Sequence, residues 1–214
     1  MLRERTMNNK TIITIGRQFG SGGREIGRRL AEKLGIPFYD KELLTHAAQE
    51  SGLSHEVMAY FDEQPTNSLL YSLSTGVYSM GEVGVSNYML PVNQQVFQAQ
   101  FDSIRKLAEQ GSCVIVGRCA DYVLEKHPQV VNVFIYGDLQ KRMERVAEYD
   151  GVELAEAKSR VAKSDKRRAS YYNFYSGKKW GTAGSYDLCI NSSAVGYDNA
   201  VELSARFVEM KYPE

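Results

Sequence analysis

The chain contains 214 residues, and its 26 lysine and arginine residues are balanced by 26 aspartate and glutamate residues, so its formal net charge at pH 7 is zero. This length is sufficient for one α/β domain with a smaller appendage. Without net charge, the chain has no global field that would draw it to nucleic acid or to a membrane, and neither is expected as a partner.

Cysteine usage and hydropathy narrow the class of protein further. Cys113, Cys119 and Cys189 lie in or beside apolar runs, which predicts reduced, buried thiols and a cytoplasmic location. The spacing of the first two, without nearby histidines, makes zinc binding a poor alternative. No apolar run reaches the ~20 residues that span a bilayer. Residues 1–10 lack the apolar core of a signal peptide and are expected to form an N-terminal extension.

The most informative stretch comes first along the chain. Residues 12–27 read IITIGRQFGSGGREIG, which predicts a buried strand over 11–16 and an amphipathic helix over 22–34. A glycine-rich turn between a strand and a helix is typical of phosphate binding, because glycines let backbone N–H groups converge at the positive end of the helix. A tight turn that binds nothing is the alternative.

This glycine-rich turn departs from the usual phosphate-binding pattern, G-x-x-x-x-G-K-[ST]. No lysine occurs between residues 16 and 27. Arg24 lies near the expected position, and its guanidinium would bind phosphate as a bidentate fork. Arg24 or Glu25 stands where a hydroxyl usually holds Mg²⁺. The candidate nucleotide-binding residues are Arg17, Gly20, Ser21, Gly22, Gly23, Arg24 and Glu25.

The next segments are shorter and less regular. Residues 36–39 predict a strand, Asp40 is placed to cap a helix over 41–51, and a small helix is expected over 54–61. Residues 64–92 are rich in serine and tyrosine and show no period. We expect a long loop or mobile insert that serves as a lid or binding segment, with a disordered insert as the alternative.

A second candidate element follows the helix predicted over 93–110. Residues 113–116 are entirely apolar, which is typical of a strand buried on both faces of a parallel sheet. Arg118 comes just after this strand, where open α/β sheets bind ligands, so we expect it to face the same crevice as the glycine-rich turn. A surface arginine paired with Asp121 or another carboxylate is the alternative.

The remaining elements continue an alternation of strands and helices. We expect a helix over 120–126, a strand over 130–136, helices from Asp138 to about Tyr149 and from about Glu153 to Tyr172, a strand over 186–190 and a helix over 197–211. Such alternation predicts βαβ units and a parallel sheet covered by helices on both faces.

A basic run, KSDKRR at 163–168, lies on the long predicted helix. Lys163, Lys166 and Arg167 would share one helix face. Converging cations stabilise the charge on a transferring phosphoryl group, although most charge runs are solvated faces. Beside a phosphate-binding turn, we favour the functional interpretation.

In this order, the three elements resemble the cytidylate kinase-like family of nucleoside monophosphate kinases. The resemblance covers residues 11–63 and 93–210, and rests on the stretches 14–27, 35–43 (GIPFYDKEL), 114–121 (VIVGRCAD), 165–172 and 186–192 (YDLCINS). It implies a three-layer α/β P-loop kinase fold: a five-stranded parallel sheet flanked by helices, with an acceptor-binding arm and a lid. Within a single domain over 11–214, the core would be 11–40, 93–150 and 186–214, the arm 41–92 and the lid 151–185.

The resemblance also implies roles for particular residues. ATP and Mg²⁺ would bind at the glycine-rich turn, and a small nucleotide would bind through Asp40, Arg118 and Asp187. No metal ligand is assigned. Cys119 replaces the aspartate of a Gly-Arg-Asp motif. The residues implied to act on the transferring group are Arg24, Arg118, Lys163, Arg167 and Arg168.

Three functional hypotheses follow. The favoured one is ATP-dependent phosphorylation of a nucleoside monophosphate, with CMP or dCMP as the default acceptor. The missing lysine favours instead a nucleotide-binding or regulatory protein with weak or no turnover. The divergent segment 64–92 and Cys119 favour a kinase with a non-nucleotide acceptor. A homodimer contact is compatible with the apolar content of that segment.

Overall fold

A computed structural model describes residues 11–64 and 91–213. The predicted N-terminal extension and nearly all of the predicted insert lie outside the described residues. The strands are β1 (Ile12–Arg17), β2 (Phe38–Tyr39), β3 (Cys113–Val116), β4 (Val130–Tyr136) and β5 (Leu188–Asn191). The described α-helices are α1 (Gly23–Leu34), α2 (Glu42–Ser51), α3 (His55–Phe61), α4 (Val92–Gln110), α5 (Ala120–Val123), α6 (Leu139–Asp150), α7 (Leu154–Ser176) and α8 (Ser192–Lys211).

The five strands form one sheet in the order β2-β3-β1-β4-β5, and every pair is parallel. In register, Ile15 of β1 lies between Val116 of β3 and Val133 of β4. This arrangement confirms the predicted α/β class with a five-stranded parallel sheet. The strands of such a sheet are buried on both faces, which accounts for the apolar runs seen in the sequence.

Alternate side chains of the central strands enter two separate cores. Ile13 and Ile15 pack with α1 and α8 on one face, in a cluster that includes Leu30. Ile12 points to the opposite face, where it packs with α4 and α5 in a cluster that includes Ile104. The sheet is therefore the middle of three layers.

The strand order decides where the site forms. The carboxyl ends of β2, β3 and β1 lie side by side at one edge of the sheet. Asp40 follows β2, Gly117 and Arg118 follow β3, and the glycine-rich turn follows β1. Residues 40, 118 and 20 are far apart along the chain, and the parallel topology brings them to one crevice.

One predicted cap is wrong. The residue preceding α2 is Lys41, whose backbone is already helical, and no side chain caps this helix end. The carboxylate of Asp40 instead accepts hydrogen bonds from Arg24 and Arg118. Two charged partners bind this carboxylate more strongly than a backbone N–H would.

Three helix boundaries differ from the predicted ones. Helix α5 ends at Val123 instead of residue 126. Helix α7 continues to Ser176, and its last turn is held by Tyr175, which stacks on Phe97 with ring centroids 3.8 Å apart. Helix α8 begins at Ser192, and Gly196 interrupts it with a φ of 78°. Among the described residues, no helix is both long and apolar enough to cross a membrane.

The packing of α1 on the sheet gives a first prediction. Leu30 is fully buried against the sheet, whereas Leu203 on α8 is 48% exposed. We expect Leu30→Ala to lower the free energy of unfolding by about 2–5 kcal/mol because it leaves a cavity, and Leu203→Ala to change it by less than about 0.5 kcal/mol. Urea denaturation of both variants measures this, and equal losses would contradict the assigned core.

Candidate active site

The glycine-rich turn has a backbone conformation that requires glycine. Gly20 and Gly22 have φ values of 75° and 79°, a left-handed region that other residues rarely adopt. A Cβ added to Gly20 would also lie 2.7 Å from the carbonyl oxygen of Arg142. The turn is therefore held tightly between β1 and α6.

Three backbone donors at the start of α1 are available to a ligand. Within the described part of the chain, no protein acceptor binds the N–H groups of Gly23, Arg24 and Glu25, and no side chain caps α1. The first N–H groups of a helix are left without intrahelical partners and carry its positive dipole end, so they bind anions. The turn can therefore bind a phosphate group.

The hydroxyl of Ser21 has a structural partner. It is completely buried and donates to the carbonyl oxygen of Gln18 at 2.8 Å. The carbonyl oxygen of Ser21 in turn accepts a hydrogen bond from Ser192 at 2.6 Å. Ser21 thus fixes the shape of the turn, and its side chain does not line the cleft.

Helix α7 is tied to the glycine-rich turn by a carboxylate. Asp165 accepts a hydrogen bond from the backbone N–H of Phe19 at 2.7 Å and pairs with Arg142 at 2.6 Å. Arg142 also donates to the carbonyl oxygen of Phe19 at 3.1 Å. Asp165 lay inside the basic run of the sequence, where nothing marked its carboxylate as a partner of the turn.

Four arginines and three carboxylates meet where β1, β2 and β3 end. We call Arg17, Arg24, Arg118, Arg168, Asp40, Asp62 and Glu63 the arginine–carboxylate cluster. The guanidinium of Arg118 is buried and makes two hydrogen bonds to Asp62, at 3.0 and 2.7 Å, and another to Asp40. It also donates to the carbonyl oxygen of Val116 at 2.9 Å. Asp40 accepts a further bond from Arg24 at 2.6 Å.

Glu63 is the second centre of this cluster. Its carboxylate pairs with Arg17 at 2.6 Å and with Arg168 at 3.2 Å, and accepts the backbone N–H of Arg118 at 3.4 Å. One side chain thereby joins β1, the turn after β3 and α7 to the end of α3. Asp62 and Glu63 belong to no motif in the sequence, and only the folded chain identifies them.

Electrostatics within the cluster is dominated by ion pairing. Burial by itself would raise the pKa of Glu63, but the Arg17, Arg168 and Arg118 charges outweigh it and hold that pKa well below its usual value. Burial and the adjacent Arg17 charge lower the pKa of Arg168 to about 10. Arg17 and Arg168 thus repel each other across the carboxylate that both of them contact.

A cleft of about 990 Å³ opens beside the turn and the cluster. It is large enough for a nucleotide or another small substrate. Of the predicted site residues, the structure places these in its lining: Arg17, Gly20, Gly22, Gly23, Arg24, Glu25, Asp40, Arg118, Arg167 and Arg168. The glycine-rich turn and Arg118 therefore do face one crevice.

Besides Ser21, two predicted site residues do not line the cleft. Lys163 is on an exposed face of α7 and does not line the cleft. Asp187 precedes β5 instead of following it, pairs with Lys211 at 2.7 Å and accepts the N–H of Asn132 at 2.8 Å. Ligands of parallel sheets bind at the carboxyl ends of strands. Asp187 lies at the amino end of β5, away from the predicted site residues that line the cleft.

The structure also separates the two halves of the basic run. Lys163 and Lys166 are exposed, as in an ordinary solvated face, whereas Arg168 turns inward to Glu63 and Arg167 lines the cleft. Asp121, the partner suggested for Arg118, instead accepts a hydrogen bond from the hydroxyl of Tyr172 at 2.6 Å.

Tyr197 is a site residue that no sequence pattern indicated. A Cβ added to Gly22 would lie 2.2 Å from its Cζ atom, so the phenol ring lies over the turn. The guanidinium carbon of Arg145 is 5.0 Å from the centroid of that ring. Both side chains line the cleft, and an aromatic ring beside a guanidinium can stack on a planar base.

The described residues contain no group of three or more histidine, cysteine, aspartate and glutamate side chains placed to hold a metal ion. Glu25, the carboxylate at the start of α1, is held by Arg28 and Arg29, and their hydrogen bonds lower its pKa to about 2. Arginines, carboxylates and the backbone N–H groups at the start of α1 all line the cleft.

The ion pairing of Glu63 predicts a pH-dependent stability difference. Glu63→Gln should lower the free energy of unfolding at pH 7 by about 3–5 kcal/mol, because it leaves buried arginines without their anion. A carboxylate with a depressed pKa stabilises the fold above its ordinary pKa and loses that contribution as the pH falls. The difference between wild type and variant should therefore shrink below pH 4.5, the ordinary value for glutamate.

Urea unfolding at pH 7, 5, 4 and 3 measures this difference. Asp121, whose pKa is raised by burial, titrates in both proteins and cancels. A difference that stays constant down to pH 3 would contradict the ion-pair assignment.

The position of Tyr197 gives a second site prediction. Gly22→Ala should destabilise the protein by about 1–3 kcal/mol, because alanine is strained at this φ and its Cβ meets the phenol ring. In a Tyr197→Ala background the steric part disappears, so a smaller loss of about 1 kcal/mol should remain. Thermal unfolding of wild type, the two single variants and the double variant measures the coupling between Gly22 and Tyr197. Strictly additive losses of stability would show that the two residues do not touch.

A family model and several known proteins match this chain. The model of the cytidylate kinase-like family matches residues 12–194. The cytidylate kinase of Methanopyrus kandleri is 24% identical over 201 residues, which cover 90% of each chain. The cytidylate kinase of Methanococcus vannielii is 28% identical over 200 residues, which cover 89% of this chain and 97% of the relative.

Solved structures show the same architecture. An uncharacterized protein from Eubacterium ventriosum is 33% identical, with a TM-score of 0.70, over 94% of this chain and 99% of the other. Shikimate kinase from Bacteroides thetaiotaomicron is 14% identical, with a TM-score of 0.54, over 93% and 98%. The latter similarity shows the P-loop kinase fold alone. Because the family model spans most of the strands and helices described above, this chain belongs to the cytidylate kinase-like family.

Proposed function

We propose that this protein is a kinase that transfers the γ-phosphoryl group of ATP to a small acceptor, with the nucleoside monophosphates CMP and dCMP as the first acceptors to test. One observation carries the proposal. Three unpartnered N–H groups at the start of α1 face a cleft that is lined by Arg17, Arg24 and Arg118. Anion donors beside several guanidinium groups are what phosphoryl transfer needs.

On the nucleotide side, the glycine-rich turn would bind the phosphates of ATP through its backbone. Tyr197 and Arg145 lie next to the turn, and in this proposal they would contact the base. Mg²⁺ keeps several waters and is usually held by nucleotide phosphates with one or two carboxylates, and it would supply neutralisation of the β- and γ-phosphate charge. We assign it no protein ligand.

Arginines would replace the missing lysine. Arg24 lies at the start of α1 and is the most exposed cation of the cluster, with 53% of its side chain exposed. Arg167 lines the same cleft from α7. A guanidinium binds phosphate with two parallel hydrogen bonds, and in this proposal Arg24 and Arg167 would contact the transferring group.

On the acceptor side, the ion pairs of Arg118 favour a second candidate. Its guanidinium is already bound by Asp40 and Asp62, so an acceptor at this point of the cleft would meet a neutralised arginine with two carboxylates beside it. Carboxylates accept hydrogen bonds from sugar or polyol hydroxyls. A kinase for a non-nucleotide, hydroxyl-bearing acceptor is therefore the alternative, and a binding protein with weak or no turnover is the other.

The remaining expectations stay predictions. A cytoplasmic location rests on the three reduced cysteines, and a homodimer contact rests on a segment outside the described residues. The contributions of Lys163 to phosphoryl transfer and of Asp187 to acceptor binding are the weakest, because neither residue lines the cleft. The division into core, arm and lid is likewise a proposal.

The first experiment is ADP release from ATP–Mg²⁺ by the full chain, against CMP, dCMP, UMP, AMP, GMP and a set of sugars and polyols. We expect ADP release that depends on CMP or dCMP. Arg24→Ala should mainly impair the use of ATP, and Arg118→Ala should mainly impair the acceptor, each by a factor on the order of 10²–10³.

Arg206→Ala is the matched control, since Arg206 is exposed on α8, and it should behave as wild type. Circular dichroism must show that Arg118→Ala folds, because it removes the arginine partner of Asp62 and one of the two arginine partners of Asp40. Turnover with a polyol alone would support the second candidate. ATP binding without turnover on any acceptor would favour the binding protein.

A further inference from the structure

The carboxylate of Glu63 occupies a site that is built for an anion. It is surrounded by the guanidinium groups of Arg17 and Arg168, at 2.6 and 3.2 Å, and by the backbone N–H of Arg118 at 3.4 Å. We call these three donors the anion cage. Only 8% of the Glu63 side chain is exposed, so the cage holds the carboxylate away from bulk water.

The backbone is strained at Glu63 and in the turn after β3, which the Glu63 carboxylate contacts. Glu63 has a φ of 50°, and Arg118 and Cys119 have φ values of 51° and 55°. Such values cost L-residues about 1–2 kcal/mol each and cluster at functional sites. A Cβ on Gly117 would lie 2.4 Å from Oε1 of Glu63 and 2.2 Å from a guanidinium nitrogen of Arg17. The turn after β3 therefore depends on glycine to let a charged group approach.

The anion cage needs a negative charge at its centre, from either Glu63 or a ligand. Arg17 and Arg168 are both nearly buried, with 11% and 13% of their side chains exposed, and they lie on either side of one carboxylate. Without that carboxylate, two like charges would face each other in a poorly solvated site. The cage also opens on the cleft, because Arg17, Arg168, Arg118 and Glu63 all line it.

We propose that Glu63 is an internal stand-in for the phosphate group of the acceptor, and that a phosphate monoester displaces its carboxylate from Arg17, Arg168 and the Arg118 N–H. A phosphate monoester offers three oxygens to these donors, which now share the two carboxylate oxygens of Glu63. The planar guanidinium group can bind either a carboxylate or a phosphate. Displacement also lets Glu63 leave its left-handed conformation. The Arg118 guanidinium, already held by Asp40 and Asp62, stays a structural support of the cage.

This inference rests on the proposed kinase activity for the identity of the ligand, but its test is equilibrium binding and needs no turnover. Glu63→Gln keeps the shape of the side chain and removes the competing charge. Isothermal titration of wild type and variant with inorganic phosphate should show at least a tenfold tighter dissociation constant in the variant. CMP should gain by a similar factor, whereas cytidine, which has no phosphate, should gain nothing.

Two matched variants control the result. Glu125→Gln removes an exposed carboxylate that pairs with Lys178 away from the cleft, and should bind phosphate as wild type does. Glu63→Gln combined with Arg168→Met should lose the gain, because the cage then lacks one of its cations. A gain that survives the loss of Arg168 would place the anion elsewhere and overturn the proposal.

A shorter acidic side chain tests the same point if Glu63→Gln does not fold. Glu63→Asp keeps the charge but cannot reach all three donors, so it should bind phosphate more tightly than wild type. Unchanged phosphate affinity in every folded Glu63 variant would overturn the proposal, even if wild type phosphorylates CMP. Tighter phosphate binding without turnover on any monophosphate would support the stand-in role and count against the proposed acceptor class.

Discussion

The constraint on which this site depends is the burial of arginine charge at the carboxyl edge of the sheet. Arg118 and Arg17 follow or end neighbouring strands, and each is nearly excluded from water. Such groups are tolerated only when carboxylates neutralise them. Asp40 supplies that neutralisation from the end of β2, and Asp62 and Glu63 supply it from the end of α3. The ion pairs therefore hold together the parts of the molecule that surround the cleft.

Ion pairs also link helix α7 to the glycine-rich turn. Asp165 binds the N–H of Phe19 and the guanidinium of Arg142, while Arg168 binds Glu63. Both contacts come from adjacent turns of one helix. A ligand that changes the charge balance in the cleft would therefore act on α7 directly. This coupling gives a physical route by which occupation of the cleft and the position of the helix depend on each other.

The absence of a lysine in the glycine-rich turn is less decisive in the folded protein than in the sequence. The cleft gathers arginines from β1, α1, the turn after β3 and α7, so positive charge does not depend on one residue. What distinguishes this site is that most of those charges are already paired. In this structure the arginines hold internal carboxylates, so an anionic ligand would have to compete with them.

The local patterns of the chain were sufficient for the sheet, most of the helices and the glycine-rich turn, because hydrophobic period and turn chemistry are properties of neighbouring residues. They also placed Arg118 correctly, since a residue that follows a buried parallel strand must lie at the ligand-binding edge. They could not show that Asp40 would bind arginines instead of capping α2. Nor could they show that Asp187 would lie at the amino end of β5, away from the cleft. Glu63 and Asp165 carry no local signal at all. Glu63 pairs with Arg17, 46 residues away, and Asp165 accepts the backbone N–H of Phe19, 146 residues away. Only the tertiary structure brings such distant groups together.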